Sequence, residues 1–163
     1  MNYIKKIQGV LLSFLVLYTL MLIIPVKICA DSMYLEKKEK IVDQKQIQCA
    51  ATAIYYEGRN EPIVGKLAIA RVIQNRIRRH FAPSECGVVL QRSHGVCQFN
   101  FTCQKYGWIK PTQCLDCWHA AKQVLVENRH QNLAQGFLYF RAGSSSKSKY
   151  ETLIGNQLFR GKT

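Results

Sequence analysis

Six cysteines lie between positions 49 and 117, and a seventh, Cys29, stands near the end of an apolar leader. In an oxidising compartment such a set restricts the fold more than any other feature of the chain, because it staples distant segments together. The leader supplies the condition. Lys5 and Lys6 precede an uncharged apolar run from Gly9 to Ile24, Pro25 breaks it, and Ile28-Cys29-Ala30 offers a cleavage site that ends in a small residue. The run is short for a membrane span and suits a signal peptide over 1–30, with an uncleaved N-terminal membrane anchor as the alternative. Ile28 is too large for a lipoprotein site at Cys29. Export to the periplasm or the extracellular side of the envelope is the expectation.

Cys29 leaves with the leader, and Cys49, Cys86, Cys97, Cys103, Cys114 and Cys117 remain as disulfide candidates. Their pairing is open at this stage. Zinc is the rival reading, but the gaps between Cys97, Cys103, Cys114 and Cys117 match no familiar finger or ribbon. A redox-active Cys114-Leu115-Asp116-Cys117 is a second rival, although no thioredoxin-like strand precedes it. No metal and no cofactor are expected.

The 163 residues suit one modest domain. Removing the leader takes away Lys5, Lys6 and Lys27 and no acid, which leaves 20 basic and 10 acidic residues. A chain this basic favours an anionic partner. For an exported protein the partner within reach is the anionic cell envelope surface, and export argues against nucleic acid. A monomer is expected.

Residues 31–45 are polar and charge-dense and read as a linker or loose lead-in helix, leaving 46–163 as the catalytic domain. From Gln46 the periodicity is helical. Ile47, Ala50, Ala51, Ile54 and Gly58 share one face, and Gly58 is a natural stop. A second helix opens at Glu61-Pro62, with Ile63, Leu67, Ala70, Ile73 and Ile77 as its core stripe and Arg71, Asn75, Arg78 and Arg79 on the opposite, solvated side. A short element follows from Pro83 to Gln91. Cys97 to Cys103 alternates like a strand or tight loop, and Tyr106-Gly107-Trp108 lies in a loop where it is a candidate sugar-stacking wall. A third helix spans about Thr112 to Glu127, with Cys114, Cys117 and Trp118 facing inward. Residues 137–141 and 157–160 read as strands, separated by a flexible Ser/Lys loop. The fold class is α+β, mainly helical, with a small sheet and disulfide staples.

Glu57 stands on the edge of the first buried stripe, in the last helical turn and between Tyr56 and Gly58. Partial burial and the negative end of the helix dipole both disfavour its charged form, as a proton donor near neutral pH requires. Tyr55 and Tyr56 flank it as groove walls. Glu61 reads as a supporting residue, paired with Arg59 or capping the second helix. Glu85, Asp116, Glu127 and Glu151 sit in no setting that looks catalytic. Two carboxyl groups are usual for glycoside cleavage. With only one in place, a single-acid mechanism fits better: Glu57 protonates the leaving oxygen and then, as carboxylate, takes a proton from the substrate's own hydroxyl.

Three blocks carry a family resemblance: Ala53-Ile54-Tyr55-Tyr56-Glu57-Gly58-Arg59-Asn60-Glu61-Pro62, Gly65-Lys66-Leu67-Ala68-Ile69-Ala70-Arg71-Val72-Ile73-Gln74-Asn75-Arg76, and Cys97-Gln98-Phe99-Asn100-Phe101-Thr102-Cys103, with Gly87-Val88-Val89-Leu90-Gln91 between them. The chain resembles the cell wall hydrolases of the spore cortex-lytic enzyme (SleB/CwlJ-like) family over roughly residues 48–142. The resemblance implies a lysozyme-like helical core that cleaves peptidoglycan glycan strands. It also implies Glu57 as the catalytic residue, and Gln98, Phe99 and Tyr139 as substrate-groove residues. Asn60, Asn100 and the late strand Gly136-Phe137-Leu138-Tyr139-Phe140 depart from the family pattern. A cationic, disulfide-rich envelope-binding module that has lost turnover is the alternative from another class. A zinc amidase is weaker, because His80, His94, His119 and His130 show no metal-binding spacing.

Overall fold

The structure is a computed structural model that describes residues 43–143 and 148–161, together with positions 12, 15–19, 21, 32–34 and 36. Two compact units divide the chain, Met1–Val42 and Asp43–Thr163. The described positions of the first are helical. Among the described residues no helix is long and apolar enough to cross a membrane. The expected cleavage site at 28–30, and residues 144–147 of the Ser/Lys loop, lie outside the described residues.

In the second unit a first helix, α1, occupies 43–58. Its small residues Ala50, Ala51 and Ala53 are fully buried beside Ile54, so neighbouring elements approach its backbone closely. The helix ends where expected. A Cβ on Gly58 would lie 2.5 Å from Ile69 Cδ1, so the close crossing of α1 and the next helix requires glycine there. That next helix, α2, runs Ile63–Arg78, and Pro62 is its extended N-cap residue rather than part of the first turn.

Helix α2 is the centre of the domain. It packs against α5 (Leu115–Leu125) on one side and against α3 (Glu85–Val89) on another. Every residue from Gly65 to Ile73 is buried, and so are Asn75 and Arg76. The expected solvated side therefore splits: Arg78 and Arg79 are exposed, whereas Arg71 is fully buried and Asn75 nearly so. The reason is that a helix enclosed on all sides can bury polar groups when backbone carbonyls receive them. The Arg71 guanidinium donates to Gln74 Oε1 and to the Arg129 carbonyl. The Asn75 amide donates to the carbonyls of Ala134 and Phe137, each at 2.9 Å. These bonds lay the segment that follows α5 along α2.

Between α3 and α5 the chain is irregular. Arg92–Ser93 (β1) and Val96–Cys97 (β2) form a minimal antiparallel hairpin. Of the expected strand or tight loop over Cys97 to Cys103, only Cys97 is in a strand, and Asn100–Cys103 winds into a single helical turn, α4, that buries Phe101. The third helix is also interrupted. Pro111–Gln113 is a 3-10 turn, and Cys114, at φ −157°, breaks from it to become the N-cap of α5.

A three-stranded antiparallel sheet closes the domain in the order β3 (Tyr139–Ala142), β5 (Gln157–Arg160), β4 (Glu151–Ile154). Strand β4 is an addition to the elements expected from sequence. Its register pairs Ile154 with Gln157, so Gly155-Asn156 is a two-residue turn, and Gly155 adopts φ +63°. The central strand β5 buries Gln157, Leu158 and Phe159.

Three disulfides staple these parts. Cys49–Cys86 ties α1 to α3, Cys97–Cys103 closes the segment between β2 and α4, and Cys114–Cys117 lies across the first turn of α5.

Candidate active site

Glu57 occupies the last turn of α1, half-buried, where the end of that helix meets α2 and the sheet. Burial raises its pKa above the ordinary 4.5, and the nearby Arg76 cation opposes the rise without cancelling it. Its carboxyl group accepts no hydrogen bond from a described residue, which leaves it open to a ligand. Its backbone is fixed instead. Gln157 at the start of β5 donates its amide to the Glu57 carbonyl at 2.8 Å.

Arg76 is the charged group that sequence reasoning passed over. It is 4% exposed, and its Nε donates to the Leu138 carbonyl at 2.8 Å. The guanidinium lies over two rings, 5.4 Å from the centre of Phe99 and 5.6 Å from that of Tyr139. Its Nη1 is buried with no partner among the described residues. Burial lowers its pKa, while Tyr139 and Glu57 act in the opposite direction. Only its place beside Asn75 in the second resemblance block hinted at more than a surface charge. Its burial follows from the enclosure of α2, which no local pattern announces.

The other expected residues separate into groups. Tyr56 is stacked between Phe101 (centroids 4.7 Å apart) and Tyr106 (5.3 Å), and its hydroxyl donates to the Gly107 carbonyl at 3.1 Å. Tyr55 meets Tyr56 edge-on and carries the Arg59 guanidinium over its ring. Tyr56 thus walls the end of α1 on the side of the 104–110 loop. Tyr139 lies between two guanidinium groups, those of Arg76 and Arg160. Phe99 departs from its expected place on the groove surface: it is 2% exposed and packs on Phe101 and Phe140, so it forms a floor beneath Arg76 rather than a surface for substrate. Gln98 is exposed, and its backbone N–H donates to the Gln91 carbonyl.

Glu61 neither pairs with Arg59 nor caps α2. Its carboxylate accepts the Asn156 N–H at 2.7 Å, at the turn between β4 and β5. Lys66 donates to the Glu61 carbonyl. The fit is close, since a Cβ on Gly155 would come within 2.5 Å of the Glu61 carboxylate and one on Gly65 within 2.7 Å. Glu61 and Gln157 therefore clamp the same hairpin to the segment that bears Glu57. The remaining carboxylates have other surroundings. Glu127 pairs with Arg129 and Lys122, Glu151 is held by Arg141, and Asp116 is exposed. Among the described residues no cluster of His, Cys, Asp or Glu is arranged to hold a metal ion.

Comparison with known proteins bears on the family and the fold. A cell wall hydrolase family model matches residues 60–160. The chain belongs to the cell wall hydrolase family, whose members cleave peptidoglycan. The matched segment runs from the turn after α1 to the last strand and begins three residues beyond Glu57. No curated protein matches. Two solved structures have the same fold. The catalytic domain of Bacillus cereus SleB is 24% identical, with a TM-score of 0.51 over 72% of this chain and 90% of its own. The catalytic domain of the germination-specific lytic transglycosylase SleB from Bacillus anthracis is 25% identical, with a TM-score of 0.52 over 72% of this chain and 94% of its own. The lysozyme-like fold is thus that of a catalytic domain.

Proposed function

We propose that this chain is a lytic transglycosylase that cuts the glycan strands of peptidoglycan with Glu57 as its single acid and base. The observation that carries the reading is the setting of Glu57. Among the described residues it is the carboxyl group whose pKa burial raises, while Glu61, Glu127 and Glu151 are occupied in structural contacts. In the first step the Glu57 proton passes to the glycosidic oxygen as the bond from that oxygen to the anomeric carbon breaks. The electron-poor anomeric carbon then receives the oxygen of the sugar's own C6 hydroxyl. The proton lost from that hydroxyl returns to Glu57, so the acid is restored and an anhydro ring closes without water. The transglycosylase title of the Bacillus anthracis relative supports this outcome over hydrolysis. Export through the 1–30 leader brings the enzyme to its polymer, and its excess of basic residues draws it to the anionic envelope.

Digestion of purified sacculi by wild type and Glu57→Gln, with the soluble products identified by mass, tests the proposal. Anhydro-muropeptides are expected from wild type and none from the variant. Products with reducing ends would replace the internal hydroxyl by water as the nucleophile. Sacculus binding without any product would assign the chain to the binding-module class instead.

A further inference from the structure

The loop over 104–110 is fixed along its backbone while its two aromatic side chains face solvent. Gln48, Thr52 and Tyr56 recur every four residues along one edge of α1. Gln48 Nε2 donates to the Ile109 carbonyl at 3.1 Å, and Thr52 Oγ1 accepts the Ile109 N–H at 3.3 Å. Tyr56 donates its hydroxyl to the Gly107 carbonyl at 3.1 Å. On the other side the Tyr106 N–H reaches the Phe101 carbonyl, and Ile109 is buried as an anchor. Yet Tyr106 is 55% exposed and Trp108 45% exposed. Single exposed aromatics are ordinary on a protein surface. Two of them on a backbone zippered to the catalytic helix are different, because ordering the loop has already been met by polar contacts and a ligand need not order it again.

We propose that Tyr106 and Trp108 form a stacking subsite for a sugar ring of the glycan strand, next to the point of cleavage. The apolar face of a pyranose ring matches the face of an aromatic side chain, and few other polar ligands offer such a surface. Tyr106 continues a stack that begins at buried Phe101 and passes through Tyr56, the residue before Glu57, so the loop packs on the helical turn that bears the acid. Exposed Lys105 and Lys110 bracket the two rings and supply positive charge for a polymer that carries carboxylates. The subsite rests on the glycan-cleaving reading for its ligand, but its test does not require cleavage.

Binding is measured in a Glu57→Gln background with two probes, peptide-free glycan strands and a synthetic stem peptide. Trp108 is the exposed tryptophan and Trp118 is buried, so the emission change on adding glycan reports on the loop. Glycan strands are expected to shift the emission, and Trp108→Phe is expected to abolish the shift. Tyr106→Ala and Trp108→Ala should each weaken glycan binding by about fivefold or more. Tyr106→Ala also removes the ring stacked on Tyr56, so thermal unfolding of each variant is measured alongside, and glycan binding should fall under conditions where both remain folded. Glycan affinity unaltered in both variants overturns the subsite, and so does a response to the stem peptide with none to glycan. If wild type fails to cleave sacculi while glycan binding still depends on Tyr106 and Trp108, the catalytic reading falls and the subsite stands.

Discussion

Gln157 and Glu57, a hundred residues apart, are joined by one hydrogen bond in which the Gln157 amide donates to the Glu57 carbonyl at 2.8 Å. The bond means that the acid is positioned by the last strand of the sheet as well as by its own helix. The adjacent bond from Asn156 N–H to the Glu61 carboxylate holds the same hairpin on the other side of the α1–α2 turn.

Loosening this clamp should reduce catalysis more than it reduces stability. Gln157→Ala removes a part-buried hydrogen bond and leaves the Glu57 carbonyl unpaired, a cost of about 1–3 kcal/mol, whereas Glu61→Ala removes an exposed bond that water can replace and costs less. Digestion of sacculi should slow in both, with kcat affected more than KM, because a misplaced acid binds strands normally and protonates them poorly. Urea titrations alongside digestion rates check the comparison. Full activity in both variants would show that α1 alone orients Glu57.

The pH dependence follows from the direction of the Glu57 shift. Burial raises its pKa above 4.5, so the folded protein binds a proton that the unfolded chain has already released in the interval between the two values. Stability from this group is therefore highest below 4.5 and is lost as pH rises through the folded pKa. Glu57→Gln removes the dependence, so the variant should gain stability relative to wild type as pH increases. Denaturation midpoints across an acidic to neutral series measure it. In wild type, kcat/KM should fall on the alkaline side as Glu57 loses its proton.

Arg76 limits the rise in Glu57 pKa, and its removal has a predicted sign. In Arg76→Met the cation is gone, Glu57 holds its proton more tightly, and the alkaline limb of kcat/KM should move to higher pH. The variant also frees the Leu138 carbonyl, at about 1–3 kcal/mol. Arg76→Lys keeps the charge and should leave the limb near its wild-type position while sharing the stability loss. A limb that stays fixed in both would assign Arg76 a packing role only.

The disulfides should differ in weight. Cys49–Cys86 spans 37 residues and joins α1 to α3, whereas Cys114–Cys117 spans three within one helical turn. By the loop-entropy argument the first contributes on the order of 4 kcal/mol and the second about half that. Paired serine substitutions compared by denaturant unfolding are the measurement, and Cys49→Ser with Cys86→Ser should be the more destabilised.

Local signals carried a large part of this protein. The apolar stripe from Ile47 to Ile54, the stop at Gly58 and the stripe that follows Pro62 placed α1 and α2, because helix periodicity and backbone-breaking residues act over a few positions. The same stripe put Glu57 at the edge of burial. Strand β4 was within reach too, since Gly155-Asn156 between Glu151–Ile154 and Gln157–Arg160 is a hairpin-turn pair. What only tertiary structure decided is what surrounds α2. Its enclosure turned Arg71 and Asn75 from solvated residues into buried donors, drew Arg76 beneath Glu57 and Tyr139, and sank Phe99 into the floor. It also set Glu61 against a turn near the other end of the chain. These outcomes depend on contacts between residues far apart in sequence, and a polar side chain looks the same in sequence whether water or a distant carbonyl receives its hydrogen bond. The sequence by itself singled out Glu57 as the candidate acid, because its place at the edge of an apolar stripe is a local property. The packing decided what holds it.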